Sequence, residues 1–294
     1  MIATLKRTVR EFKADNLTDW AAALTYYGVL SIFPALVAIV SIVGLFGSST
    51  TDSLTKNVGT FAPGPAKTVI TNAINGLAQN QGAAGVLFIV GILGALWSAS
   101  GYVSAFMRAS NAVYDVEEGR PIWKKLPIRI GVTLVTVVLL AITAVGVVFT
   151  GSLASKMGQL IGLSSAAVTA WNIAKWPVLV LLVVLVFSIL YFAAPNAKQP
   201  GFRWSLPGGI VAVVTWLVAS GLFALYVANF ASYNKTYGTL GGVIAFLVWL
   251  WISNVALLLG LEFNAERARS IAIDNGYPED REPYVEPRDT RAMT

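Results

Sequence analysis

Residues 236–261 read TYGTLGGVIAFLVWLWISNVALLLGL, twenty-six positions without one charged side chain. A helix rises about 1.5 Å per residue, so about 20 apolar residues cross the roughly 30 Å hydrocarbon core of a bilayer. This stretch is long enough to span. Five more uncharged stretches precede it, at 20–51, 68–107, 130–155, 176–197 and 204–234. In hydrocarbon a backbone must satisfy its own polar groups, and a helix does so within one segment. The sequence therefore predicts an all-α polytopic membrane protein with six spans at about 23–46, 85–107, 130–153, 176–194, 207–230 and 240–261.

The composition agrees. Charged residues make up 12% of the 294 residues, about half the share of a soluble domain, and the mean hydropathy is +0.68. Cysteine and histidine are both absent. That removes thiolate chemistry and disulfides, and with them imidazole as base, metal ligand or pH switch. No G-x-x-x-x-G-K-[ST] loop is present, so the chain carries no ATP-driven motor of that kind. No cofactor is expected.

Sixteen of the twenty-one Lys and Arg fall in the N-terminal arm, the gap at 108–129, the gap at 198–203 and the C-terminal tail. The remaining five are Lys56, Lys67, Lys156, Lys175 and Lys235, in the other gaps. Positive charge stays on the cytoplasmic side, so both termini are expected inside. The expected organisation is a basic amphipathic arm over 1–19, a six-helix membrane domain over 20–264 and a cytoplasmic tail over 265–294. The basic start resembles a leader, but the apolar run that follows is too long for a cleaved signal peptide. In the arm, Ile2, Leu5, Val9 and Phe12 share one helix face, as in a helix lying on the inner leaflet.

Pro34 lies inside the first span and predicts a kink. In the second span Gly91, Gly94, Ala95, Ser98, Gly101 and Ala105 recur three and four apart, which suits close helix packing. The outer segment 49–82 carries a turn at Ala62-Pro63-Gly64-Pro65 and a short interfacial helix expected over 66–78. The acidic, proline-bearing end of the tail, 275–294, reads as disordered.

Three segments together resemble the YihY/BrkB family of bacterial inner-membrane proteins. The first runs Ala21-Ala22-Ala23-Leu24-Thr25-Tyr26-Tyr27 into Ser31-Ile32-Phe33-Pro34. The second runs Leu96-Trp97-Ser98-Ala99-Ser100-Gly101-Tyr102 on to Arg108-Ala109-Ser110-Asn111-Ala112-Val113-Tyr114-Asp115. The third runs Tyr237-Gly238-Thr239-Leu240-Gly241-Gly242 on to Leu258-Leu259-Gly260-Leu261-Glu262-Phe263-Asn264. That family was once labelled ribonuclease BN and includes proteins linked to serum resistance, envelope integrity and glycolipid export. The resemblance implies a bacterial inner-membrane location and an envelope role.

Two groups of residues are candidates for function. Asp19, Arg108 and Glu262 stand at inner ends of spans, where ionisable groups pair or face a polar cavity, and Glu262 with Arg108 is the expected pair. Tyr26, Tyr27, Ser31, Pro34, Ser98, Ser100, Tyr102 and Asn254 are expected to form a polar cleft, or else to hydrogen-bond between helices. On the outer side Asn229, Tyr233, Lys235 and Tyr237 read as a polar rim. The functional expectation is a translocator or export accessory for a lipid or other amphiphile. The alternative is a non-catalytic envelope-integrity scaffold. Its partners would be membrane lipids, and a second copy or another envelope protein, with no nucleic acid. Ribonuclease chemistry is disfavoured, because no acid–base pair or metal set stands out and Asp115, Glu117 and Glu118 read as loop acids beside basic residues.

Overall fold

The protein is described here by a computed structural model covering residues 2–45, 81–148, 164–229 and 239–293. The turn at 62–65, the helix expected over 66–78, and Tyr233, Lys235 and Tyr237 lie outside the described residues, as do the side chains of Pro34 and Asn229. Seven α-helices are described: α1 Ile2–Ala14, α2 Leu17–Leu45, α3 Gln81–Val113, α4 Ile122–Val148, α5 Ser165–Ala193, α6 Leu206–Asn229 and α7 Thr239–Asp274. A 3-10 turn, Phe202–Ser205, leads into α6. Among the described residues five helices are long and apolar enough to cross a membrane: Ile89–Val113, Ile122–Thr143, Ser165–Ala193, Phe202–Ala228 and Gly241–Asp274. The 29-residue α2 occupies the first expected span.

Apolar side chains cover much of the outside. On α4, Ile130, Leu134, Val138 and Ile142 stand exposed at intervals of four, while Val132, Thr133 and Thr136 on another face are buried. An apolar stripe of that length without a protein neighbour is suited to lipid. The buried threonines spend their hydroxyls on their own helix, Thr133 donating to Arg129 O and Thr136 to Val132 O.

The helices run past the expected spans. α5 starts at Ser165, where Ser164 Oγ accepts from Ala167 N, and not at the expected 176. Lys175, read as a residue of an outer gap, is therefore ten positions inside a helix and is buried, its Nζ 5.2 Å from the Trp176 ring centroid. α7 continues thirteen residues past the expected end at 261. Hydropathy marks where apolar side chains stop, but Ala265-Glu266-Arg267-Ala268-Arg269 are strong helix formers, and nothing there interrupts the backbone ladder.

The chain divides into two compact units. The first comprises 1–18, 106–219 and 255–294. In it α5, α6 and α7 approach closely at small residues. A Cβ on Gly209 would lie 2.6 Å from Ser188 Oγ, and one on Gly260 would lie 2.6 Å from Ala212 Cβ, so only glycine lets these backbones meet. Tyr191 stacks on Phe106 and donates its hydroxyl to Leu257 O at 2.6 Å. Asn264 caps α6: its Oδ1 accepts from Gly208 N at 2.9 Å and its Nδ2 donates to Ser205 O. The amide thus supplies an acceptor that the first turn of a helix lacks.

The tail end, expected to be disordered, is instead fastened to this unit. Asn196 is fully buried. Its Nδ2 donates to Asp289 O and Glu117 O, its Oδ1 accepts from Asp289 N, and its own backbone N–H donates to Asn111 Oδ1. Arg288 donates to Phe192 O and Ala197 O, and Lys198 N to Glu286 O. Composition suggested a solvated tail because these partners lie about a hundred residues away in sequence.

The second unit comprises 19–105 and 220–254. Asn254 on α7 is its polar centre, accepting from the Tyr102 hydroxyl at 2.7 Å and donating to Thr25 Oγ1 at 3.0 Å. One amide thus joins α2, α3 and α7. The Tyr27 ring lies over Gly101, at 3.4 Å from where a Cβ would be, so the small-residue face of α3 serves packing at that point.

Truncating Asn196→Ala removes three part-buried side-chain hydrogen bonds at about 1 kcal/mol each. Limited proteolysis of the purified protein is expected to cleave 275–294 faster in the variant. Equal cleavage rates would mean the tail is held by something else.

Candidate functional site

In the first unit the end of α1, the end of α3, the extension of α7 and the tail enclose a polar cavity of about 170 Å³. Six carboxylates line it: Glu11, Asp15, Asp115, Glu262, Glu266 and Glu282, with Tyr114, Tyr284 and Arg269. Helical spacing explains the set. Asp15 follows the last residue of α1 and keeps helical register, its N–H bonding Glu11 O one turn back, and Glu262 and Glu266 are one turn apart on α7, so each pair presents one face.

Two of the acids are matched. Arg7 Nε sits 2.8 Å from Glu266 Oε2, and Arg7 Nη2 donates to Ser270 Oγ. Arg269 Nη1 meets Glu11 Oε1 at 3.2 Å and Glu266 Oε1 at 3.4 Å. Among the described residues no ion pair reaches Asp15, Asp115, Glu262 or Glu282. Glu262 is only 1% exposed, and among the described residues its Oε2 receives no hydrogen bond. The buried Tyr114 hydroxyl also lacks a hydrogen-bond partner among the described residues.

Asp115 closes α3 in the left-handed region, φ 52°. Val116 N bonds Asn111 O and Asp115 N bonds Ala112 O, the Schellman pattern that usually places glycine there. An aspartate takes that conformation at some cost relative to glycine, and Asp115 lines the cavity. Burial, then Glu282, Asp15 and Glu11, raise the Asp115 pKa to about 6, with Arg269 opposing. Burial, then Glu11 and Glu282, raise that of Asp15 to about 6, with a contact to the Glu262 carboxyl opposing.

Of the residues the sequence singled out, Glu262 lies in this cavity. Arg108 is exposed and forms no ion pair with Glu262 among those described, because it occupies an exposed position on α3 beside buried Met107 and Ala109. The cations that reach the acids are Arg7, Arg10 and Arg269, which sequence reading missed; a pairing across 259 residues, as between Arg7 and Glu266, leaves no local signal. Asp19 is exposed in the first turn of α2, where a negative charge suits the helix dipole, and belongs to the second unit.

In the second unit the expected cleft residues divide. Tyr102 and Asn254 meet, joined by Thr25, which sequence reading left out. Ser31 donates to Tyr27 O and Ser100 to Trp97 O, each within its own helix. Ser98 is half-buried, and Tyr26 is exposed with its ring edge-on to Tyr27.

The profile of the Virulence factor BrkB family matches residues 8–283. The chain belongs to the BrkB family. This BrkB-family chain is 32% identical to the ribonuclease-like protein YfkH of Bacillus subtilis (strain 168) over 275 residues, 93% of this chain and 98% of that protein. It is 30% identical to a UPF0761 membrane protein of Alkalilimnicola ehrlichii over 259 residues, covering 86% of this chain and 55% of that one. A UPF0761 membrane protein of Alteromonas mediterranea is 28% identical over 269 residues, 87% of this chain and 84% of its own length. The chain therefore spans little more than half of some curated relatives it matches. No solved structure matches.

A carboxyl whose pKa is raised on folding binds its proton more tightly in the folded state. Its stabilisation is complete below its unfolded value near 3.8 and fades as pH rises through about 6. The melting temperature is therefore expected to be higher at about pH 5 than at about pH 7.5. The difference should shrink when Asp15→Asn and Asp115→Asn are combined; an undiminished difference places the titration elsewhere. Asp115→Gly relieves both the strained φ and the like charge, and is expected to stabilise by about 1 kcal/mol. A lower melting temperature for that variant would show that the carboxylate holds the turn.

Proposed function

We propose that this chain is a six-span protein of the bacterial inner membrane, both termini in the cytoplasm, acting as a translocator or export accessory for a lipid or other amphiphile. The observation that carries the reading lies in the second unit. There α6 and α7 leave an open apolar groove of about 450 Å³, lined by Phe223, Ala224, Val227, Ala228, Ala245, Phe246 and Trp249. Trp249 donates its indole N–H to Ser220 Oγ at 3.2 Å, so the groove wall turns only its apolar surface outward. Both helices are long and apolar enough to span, which supports a groove open to hydrocarbon. An acyl chain is the occupant that suits it. The distribution of Lys and Arg supports the orientation.

The name of YfkH suggests nuclease activity as a rival. The chain has no histidine and no cysteine to serve as acid and base, and we read it as non-catalytic. Its role as an envelope scaffold is the other outcome to be distinguished.

The test is mass spectrometry of lipids retained in mild detergent by the protein and by Ala224→Trp, whose indole fills the groove. An unrelated six-helix protein serves as control. The reading expects one lipid class enriched over the control, and that enrichment lost in the variant. No enrichment, or enrichment unchanged by the variant, would remove the groove as a cargo site and favour the scaffold.

A further inference from the structure

We infer that the acidic cavity of the first unit binds a primary ammonium group, carried by a free small amine or by a lipid headgroup. The cavity holds more negative charge than the protein neutralises. Arg7, Arg10 and Arg269 answer Glu266 and Glu11, which leaves Asp15, Asp115, Glu262 and Glu282 facing one small space. Crowded surface acids alone would be solvated and unremarkable. Glu262 is different: it is 1% exposed, lines the cavity, its carboxyl meets only that of Asp15, another acid, and its Oε2 has no donor among the described residues. A buried carboxylate oxygen without a donor is costly, and the cost is removed when a cation with N–H groups enters. Tyr114 adds a second unpartnered oxygen on the same wall. Burial raises its pKa, so the hydroxyl stays neutral and can accept a hydrogen bond.

The geometry selects the kind of cation. Among the described residues no three acidic side chains converge closely enough to hold a metal ion. A divalent metal needs oxygens at about 2.0–2.6 Å, whereas an ammonium nitrogen reaches oxygens at about 2.8 Å and distributes three donors. A cavity of about 170 Å³ has room for an aminoalkyl group of a few heavy atoms. The raised pKa values of Asp15 and Asp115 fit an unliganded site: like charges repel there, and a bound cation draws those carboxyls back to the ionised form. Glu11, Glu262, Glu266 and Glu282 face these groups on the acidic side, and Arg269 on the basic side. The inference does not depend on transport. A protein that binds an amine here and moves no lipid keeps the site.

The experiment is calorimetric titration of the full chain with putrescine at about pH 7.5, at matched ionic strength, with KCl and MgCl2 as control cations. In parallel, thermal stability is compared in nanodiscs of phosphatidylcholine with and without phosphatidylethanolamine. Saturable putrescine binding identifies a free amine as sufficient. Stabilisation by phosphatidylethanolamine alone identifies the headgroup, because choline carries no N–H. Glu262→Gln keeps the shape and removes the carboxyl that would ionise against a bound cation, and is expected to weaken either response by about ten- to a hundredfold. Glu286→Gln, an exposed acid paired with Lys198 outside the cavity, should leave both unchanged. If Glu262→Gln does not fold, Asp115→Asn serves in its place. Equal responses to KCl, MgCl2 and putrescine, no response to any amine, or a response untouched by Glu262→Gln or Asp115→Asn would each overturn the inference.

Discussion

Glu266 is buried near the C-terminal end of a membrane helix, and a buried carboxylate must be met by a cation or stay protonated. Arg7 meets it from α1 and Arg269 meets it from α7 itself. That three-residue contact draws the N-terminal helix against α7. Once α1 is placed, Glu11 and Asp15 follow at helical spacing and reach the cavity. Leu5 and Val9 are left on the exposed side of α1. The cavity is therefore a consequence of one neutralised acid, and its unusual property is that the next acid along, Glu262, is not neutralised in the same way.

The two units handle polarity differently. In the second, Asn254 gives and receives hydrogen bonds, and Ser31 and Ser100 return their hydroxyls to their own helices. Each group finds a neighbour, which is what a helix in hydrocarbon demands. In the first unit the ends of the helices emerge from the apolar stretch, water can enter, and uncompensated charge becomes affordable. Candidate chemistry accordingly gathers at helix ends and in the tail, while the span interiors carry packing and the apolar groove.

The helices were legible in the sequence because charge-free runs of spanning length are a global signal. Their ends were not. α7 continues through Glu262, Glu266 and Arg269 because backbone propensity is indifferent to where the bilayer stops, and α5 takes in Lys175 for the same reason. Glu262 was visible as a lone acid at the end of an uncharged run. Its neighbours were not, since Asp15, Asp115 and Glu282 come together only through the α1–α7 contact and the docked tail. Asn111, Asn196 and Asn264 show the same limit. Each satisfies backbone groups of a different element, and an asparagine in sequence looks identical whether it faces water or closes a fold.

The most direct measurement is a double-mutant cycle on Arg7→Ala and Glu266→Gln, with hydrogen exchange followed across 2–14. A charge-assisted contact that holds α1 predicts a coupling of about 1 kcal/mol or more, and faster exchange over 2–14 in each single variant. Additive effects with unchanged exchange would show that α1 is placed by something other than this contact, and the derivation of the cavity from it would fall.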